Sequence, residues 1–138
     1  MPSLQPPAPH GLPGHLVGFV EALRAQGISV GPSETVDAGR VLEWIDKAGY
    51  ALAAQWSGRY CVTAYVGNVQ FERRVTVGHL IEVTARLIHT GRSSMHIEVL
   101  VTSADPRGGE VHENTRCLVI FVAVDEDGRS VEVPVWTP

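Results

Sequence analysis

The chain has 138 residues, 44% of them hydrophobic, and carries 11 Lys and Arg against 15 Asp and Glu for a formal charge of −4. That suits one domain with a single core and leaves little room for a second. No basic run is longer than Arg73-Arg74, which argues against an electrostatic grip on nucleic acid. The first apolar stretch, HLVGFVEAL, is short and interrupted by Glu21, which argues against a signal peptide or a membrane span, so a soluble cytoplasmic protein is expected.

Residues 1–14, MPSLQPPAPHGLPG, are proline-rich and are expected to be extended and poorly ordered. In residues 15–27, Leu16, Phe19, Val20 and Leu23 fall at helical spacing ahead of Gly27, so a short helix with a glycine cap is expected, followed by a connector through residue 34. Residues 15–34 thus read as a lead-in to a main domain over 35–138.

Residues 41–56, VLEWIDKAGYALAAQW, predict an amphipathic helix with Leu42, Ile45, Gly49, Leu52 and Trp56 along one stripe. Ala48, Gly49, Ala51, Ala53 and Ala54 make its second half thin, so other backbone can approach it from several sides. Asp46 sits at the edge of the apolar stripe, where an ionised carboxylate loses solvation unless donors or cations reach it. That is a costly place for a charge without a task, although a solvent-facing or ion-paired Asp46 would need none.

Beyond residue 58 the period changes to two. Residues 59–71, 79–90, 94–105, 111–125 and 130–136 read as strands separated by turn-forming stretches. Several are about twice the usual strand length of roughly five or six residues. Twist accumulated over such lengths curls a sheet, so an α+β fold is predicted: a long, curled antiparallel sheet wrapped around one central helix. For the alternating residues of 80–89 and 95–101 to share a core face, Leu87 must pair with Ile97 and Ala85 with Val99, which requires a three-residue Gly91-Arg92-Ser93 loop or an equivalent bulge. His89 and His96 then fall on opposite faces.

Residues 117–124 are apolar on both faces. With Cys117, Val119, Phe121 and Ala123 toward the helix, Leu118, Ile120, Val122 and Val124 form an outer row that Val62, Ala64 and Val66 extend. A second subunit is expected to cover part of it. Cys61 and Cys117 read as reduced core thiols, and the six histidines show no metal-ligand spacing.

These motifs resemble those of the hotdog-fold acyl-CoA thioesterases, in particular the small bacterial acyl-CoA hydrolases and their eukaryotic cytosolic relatives. The resemblance spans roughly residues 35–134 and rests on DAGRVLEWIDKAGYALA, VTAYVGNVQFERRVTVGHLIEV, TGRSSMHIEV and FVAVDEDGRSVEVP. It implies a helix wrapped by the curled sheet, two subunits joined into one continuous sheet with active sites at their interface, and a homodimer or higher assembly such as a trimer of dimers. The implied activity is hydrolysis of acyl-CoA to free acid and coenzyme A, with Asp46 as general base or nucleophile. Gly39, where backbone N–H groups are free at the helix start, is the implied oxyanion donor. Arg92, Ser93 and Ser94 are the implied coenzyme A ligands, and Asn68 and Phe71 align near the acyl end of the cleft, although Phe71 by itself reads as a core residue.

Coenzyme A enters as part of the substrate, with no separate cofactor, metal, nucleic acid or membrane implied. The stretch before the helix, GPSETVDAG, departs from the family pattern: it keeps one glycine of the usual pair, Gly39, and lacks the usual Asn. That departure is the feature favouring the alternative reading, a non-catalytic acyl-CoA binding module of the same fold. A hotdog dehydratase or hydratase is disfavoured because no histidine lies near Asp46 in sequence.

Overall fold

The structure is a computed structural model that describes residues 15–22, 38–76 and 78–138. The expectations for residues 1–14 and 23–34 lie outside the described residues. In chain order the elements are β1 (His15–Ala22), α1 (Ala38–Ser57), β2 (Tyr60–Phe71), β3 (Leu80–Thr90), β4 (Ser94–Ala104) and β5 (His112–Val124). The strands form one sheet in the order β1-β3-β4-β5-β2, with every neighbouring pair antiparallel. Helix α1 packs against all five strands, as a sheet curled around it requires.

Alternating hydrophobicity sets the core. Ile81, Val83, Ala85 and Leu87 of β3, Met95, Ile97, Val99 and Val101 of β4, and Cys117, Val119, Phe121 and Ala123 of β5 are all buried. Leu87 pairs with Ile97 and Ala85 with Val99, as the alternation demands. The equivalent bulge delivers that register: the ladder shifts between Leu87 and His89, and Gly91 N–H donates to the Ser94 carbonyl at 2.9 Å to close the turn. The same shift corrects the histidine expectation. His89 pairs with His96 on one face, with their ring centroids 4.9 Å apart.

The helix buries Val41, Trp44, Ile45, Ala48, Leu52, Ala53 and Trp56. Leu42, expected on that stripe, is 36% exposed, because Val41 and Trp44 take the sheet-facing positions of the first turns. Gly49 is where helix and sheet come closest: a Cβ built on it would lie 2.8 Å from Phe121 Cε2. Gly58, at φ 68°, ends the helix in the left-handed conformation and donates its N–H to the Ala54 carbonyl at 2.8 Å.

Two elements differ from expectation. Residues 15–22 form strand β1, not a helix, paired antiparallel with β3. The three-residue spacing that reads as helical is absorbed by a register shift between Val17 and Phe19, which sets Leu16 opposite Ala85 and Phe19 opposite Val83. Residues 130–136 do not form a strand. Ser130 makes an isolated bridge to Val124, and Pro134 lacks the N–H a ladder needs. The segment instead runs as a strap, with Val133 N–H donating to the Arg92 carbonyl at 2.9 Å and Trp56 Nε1 donating to the Pro134 carbonyl at 2.9 Å.

The fit at Gly49 sets a test of how tightly helix and sheet interlock. Gly49→Val places two methyl groups against a ring that is itself buried, and the expected loss is about 1–3 kcal/mol of unfolding free energy. Urea denaturation would show it as a lower midpoint with an unchanged slope.

Candidate active site

Leu42, Asp46, Tyr50 and Ala54 follow one another at steps of four along α1, so they share a stripe beside the buried one. The stripe borders edge strand β2, with Leu42 36% and Tyr50 37% exposed. Asp46 is exposed in the single chain, yet it has a defined partner: Thr63 on β2 donates its hydroxyl to Asp46 Oδ1 at 3.2 Å. Thr63 is opposite Phe121 in the sheet register and therefore on the helix side of β2. Sequence reasoning missed Thr63, because only the pairing of β2 with β5 shows that this hydroxyl turns toward the helix.

The rest of β2 is shaped by its irregularities. A shift between Thr63 and Tyr65 sets Val66 opposite Val119, on the helix side, so Val66 leaves the outer row expected for it with Val62 and Ala64. A second shift between Gly67 and Gln70 contains Asn68, which is exposed and holds φ at 52°, a left-handed conformation that Asn tolerates better than most residues. Phe71 is opposite Thr115, also on the helix side, but is 53% exposed. Phe71 is therefore not the core residue its sequence suggests. Like the 47% exposed Val66, it lies where α1 does not cover the sheet. On the other side of the strand Tyr60, Val62 and Tyr65 are exposed as well, so this edge is apolar on both faces.

Gly39 lies in the first turn of α1 and is exposed. It is seven residues before Asp46, two turns and about 10 Å along the axis, on nearly the same helix face. Arg92 and Ser93 form the tip of the β3–β4 hairpin and Ser94 opens β4. The Arg92 guanidinium is largely exposed and donates from Nε to Glu132 Oε1 at 3.3 Å. The Ser93 carbonyl accepts from Ala123 N–H at 3.0 Å, which ties the hairpin tip to β5.

Beyond Tyr50 on the same helix stripe, a cleft of about 350 Å³ opens between the end of α1 and the end of β5, lined by Tyr50, Ala54 and Tyr60 and by the charged Arg59, Asp125 and Glu126. It starts one helical turn from Asp46.

The cysteines are free and buried, and burial pushes the thiols of Cys61 and Cys117 up, away from the thiolate form a nucleophile needs. Among the described residues no three His, Cys, Asp or Glu side chains converge as metal ligands, and no helix is long and apolar enough to cross a membrane.

Comparison with known proteins gives this arrangement a context. The human cytosolic acyl coenzyme A thioester hydrolase is 32% identical over 117 residues, which cover 79% of this chain but 30% of that protein. The chain therefore spans less than a third of that relative's length. The acyl-CoA thioester hydrolase of Salmonella typhimurium is nearer in size, 32% identical over 101 residues that cover 70% of this chain and 75% of that one. Among solved structures, an apo-hexameric acyl-CoA thioesterase superposes with a TM-score of 0.81 at 28% identity, covering 96% of this chain and 81% of the other. Residues 35–110 match the sequence model of the thioesterase superfamily, a stretch that runs from the helix bearing Asp46 through the hairpin bearing Arg92. With its long helix held against a single curled antiparallel sheet, the chain belongs to that superfamily and has the hotdog fold of its acyl-CoA thioesterases.

Proposed function

We propose that the chain hydrolyses acyl-CoA thioesters and that Asp46 is the catalytic carboxylate. The observation that carries this reading is the Thr63 hydrogen bond to Asp46 Oδ1: an acid on an otherwise apolar helix stripe is oriented by a hydroxyl on the neighbouring edge strand. A thioester carbonyl carbon is electrophilic enough for two routes. Asp46 takes a proton from water as the water oxygen attacks, or the carboxylate attacks and water then cleaves the mixed anhydride. In both, the C–S bond breaks, the thiolate leaves and acquires a proton, and the thiol of coenzyme A is released. Thr63 is a positioning residue in either route: it holds one carboxylate oxygen and turns the other toward the substrate.

The tetrahedral intermediate needs an oxyanion donor within about 3 Å of the same carbonyl. The N–H of Gly39, in the first helical turn, suits that role chemically, but Gly39 and Asp46 of one helix are about 10 Å apart along its axis. One chain cannot place both on one carbonyl. Two chains can, when a two-fold axis runs their helices antiparallel and brings Gly39 of one copy beside Asp46 of the other. The exposed Leu42 and Tyr50 beside Asp46 on α1, and Val66 and Phe71 farther along β2, are apolar surface that a second copy would cover. The smallest complete unit is then a homodimer, and a hexamer of the kind named for the structural relative would be three of them.

The likeness to acyl-CoA thioester hydrolases supports the substrate class, and the hairpin supplies suitable chemistry: a guanidinium at Arg92 and hydroxyls at Ser93 and Ser94 to meet phosphate oxygens of coenzyme A. Asn68 and Phe71 line the approach for the acyl group. Coenzyme A arrives with the substrate, no further cofactor enters the chemistry, and the cytoplasm, where acyl-CoA is made and used, is the expected compartment.

Thiol release from a series of acyl-CoAs tests the assignment. Asp46→Ala is expected to lower turnover by at least about a hundredfold with an unchanged far-ultraviolet spectrum, and full activity in that variant on every accepted thioester would exclude it. Thr63→Val should lower kcat with little change in KM, because the acid remains but loses its orientation.

A shared site makes a separate prediction for mixed subunits. Asp46→Ala and Gly39→Val chains, each inactive alone, should regain about a quarter of wild-type activity when refolded together, since half the dimers are mixed and each of those holds one intact site. No recovery in demonstrably mixed dimers would remove Gly39 from the oxyanion role opposite Asp46 of the other copy.

A further inference from the structure

The strap after β5 lies against the hairpin that carries Arg92. Val131 N–H donates to the Ala123 carbonyl at 3.0 Å, Val133 N–H to the Arg92 carbonyl at 2.9 Å, and Trp136 N–H to Thr90 Oγ1 at 3.1 Å. Glu132 is thus held between two backbone anchors, one of which is Arg92 itself. Its carboxylate meets the guanidinium with one bond, Arg92 Nε to Glu132 Oε1 at 3.3 Å, and both side chains are mostly exposed, 84% for Arg92 and 74% for Glu132. Of the arginines paired in the described structure, Arg92 alone is a candidate coenzyme ligand, so its partner has a consequence the other surface pairs lack.

We propose that Glu132 competes with the coenzyme for Arg92: its carboxylate occupies the guanidinium in the empty protein, and a phosphate group of the incoming coenzyme must displace it. The inference rests on the reading of Arg92 as a coenzyme A ligand. The exchange favours phosphate because a dianion presenting several oxygens can take two guanidinium N–H bonds where Glu132 takes one. The displaced carboxylate returns to water at little cost, since it is exposed already. An anion weaker than phosphate gains little by the exchange, and a thioester without phosphate leaves the pair intact. Glu132 therefore lowers affinity for every anion at Arg92 and keeps the site empty of weak ones.

Calorimetric titration of the full-length protein with coenzyme A, at physiological salt, tests the idea. Exposed ion pairs are worth up to about 1 kcal/mol, so Glu132→Gln is expected to tighten coenzyme A binding about two- to fivefold. Affinity for an acyl-pantetheine, which carries no phosphate, should not change. Arg92→Gln should weaken coenzyme A binding, and adding Glu132→Gln to it should bring little or none of the gain seen in the parent. An equal gain with and without Arg92 would show a general field effect and overturn the proposal, as would an unchanged affinity in Glu132→Gln while Arg92→Gln still weakens binding. Coenzyme A binding indifferent to Arg92→Gln would instead remove the hairpin from the coenzyme site, and this inference with it.

Discussion

The close approach of α1 to the sheet at Gly49 is the constraint on which the rest of the structure depends. A helix normally stands off a sheet by the depth of its side chains. Here the absent side chain lets the helix backbone settle against the Phe121 ring. Asp46 is one turn earlier and is carried in with it, near enough to β2 for a threonine hydroxyl, a short side chain, to span the gap. A helix held even an ångström or so higher would leave that hydrogen bond too long to orient anything. The same seating suits the small residues on either side, Ala48 and Ala53, which are buried with Leu52, and Trp56 closes the far end through its bond to the strap.

Core packing and exposed apolar surface are divided between different strands. β3, β4 and β5 are ordinary half-buried strands, and with the sheet-facing side of α1 they supply nearly all the core among the side chains the structure describes. β2 is the opposite case. It is a sheet edge, its register shifts twice, and apolar side chains remain exposed on both its faces. An edge of that kind invites a further strand to pair with it, and the bulges decide where the pairing runs and where it stops. The outer face of β5 continues the theme, since Leu118, Ile120, Val122 and Val124 are only partly buried. Farther toward the start of that strand the outer face turns polar, with Glu98 bridging Arg86 at 3.2 Å and Arg116 at 3.1 Å. Such a surface offers a second copy an apolar centre bounded by charge.

What the sequence made legible follows from the range of the interactions involved. Helix α1, the three core strands and the Leu87–Ile97 register were readable because each is fixed by a local period with one solution that buries its apolar set. β1 was misread because Leu16 and Phe19 are three apart, the mark of a helix, and only pairing with β3 reveals the register shift that reconciles that spacing with a strand. Phe71 keeps the helix side of the sheet and is exposed because α1 does not cover it there, whereas Val66 and the His89–His96 pair were misplaced for a related reason. Each follows a bulge, and one extra residue sends every later side chain to the other face. Asp46 stood out because a carboxylate among apolar neighbours is conspicuous locally. Thr63 did not, because a threonine in a strand is unremarkable until the long-range register puts it beside the acid.

The position of Asp46 also bears on why the acid is tolerated at all. In the single chain it is exposed and hydrogen-bonded, so folding leaves the carboxylate in water and burial of charge costs little. Desolvation would begin when a second copy covers Leu42, Tyr50 and the end of β2, and by then the pairing of two strand edges and the burial of apolar side chains supply a free energy to set against it. A carboxylate placed in this way is kept out of the folding step and would lose water only in the assembly step. The order matters physically, because a charge that had to be dehydrated during folding would weaken the very core that fixes its geometry.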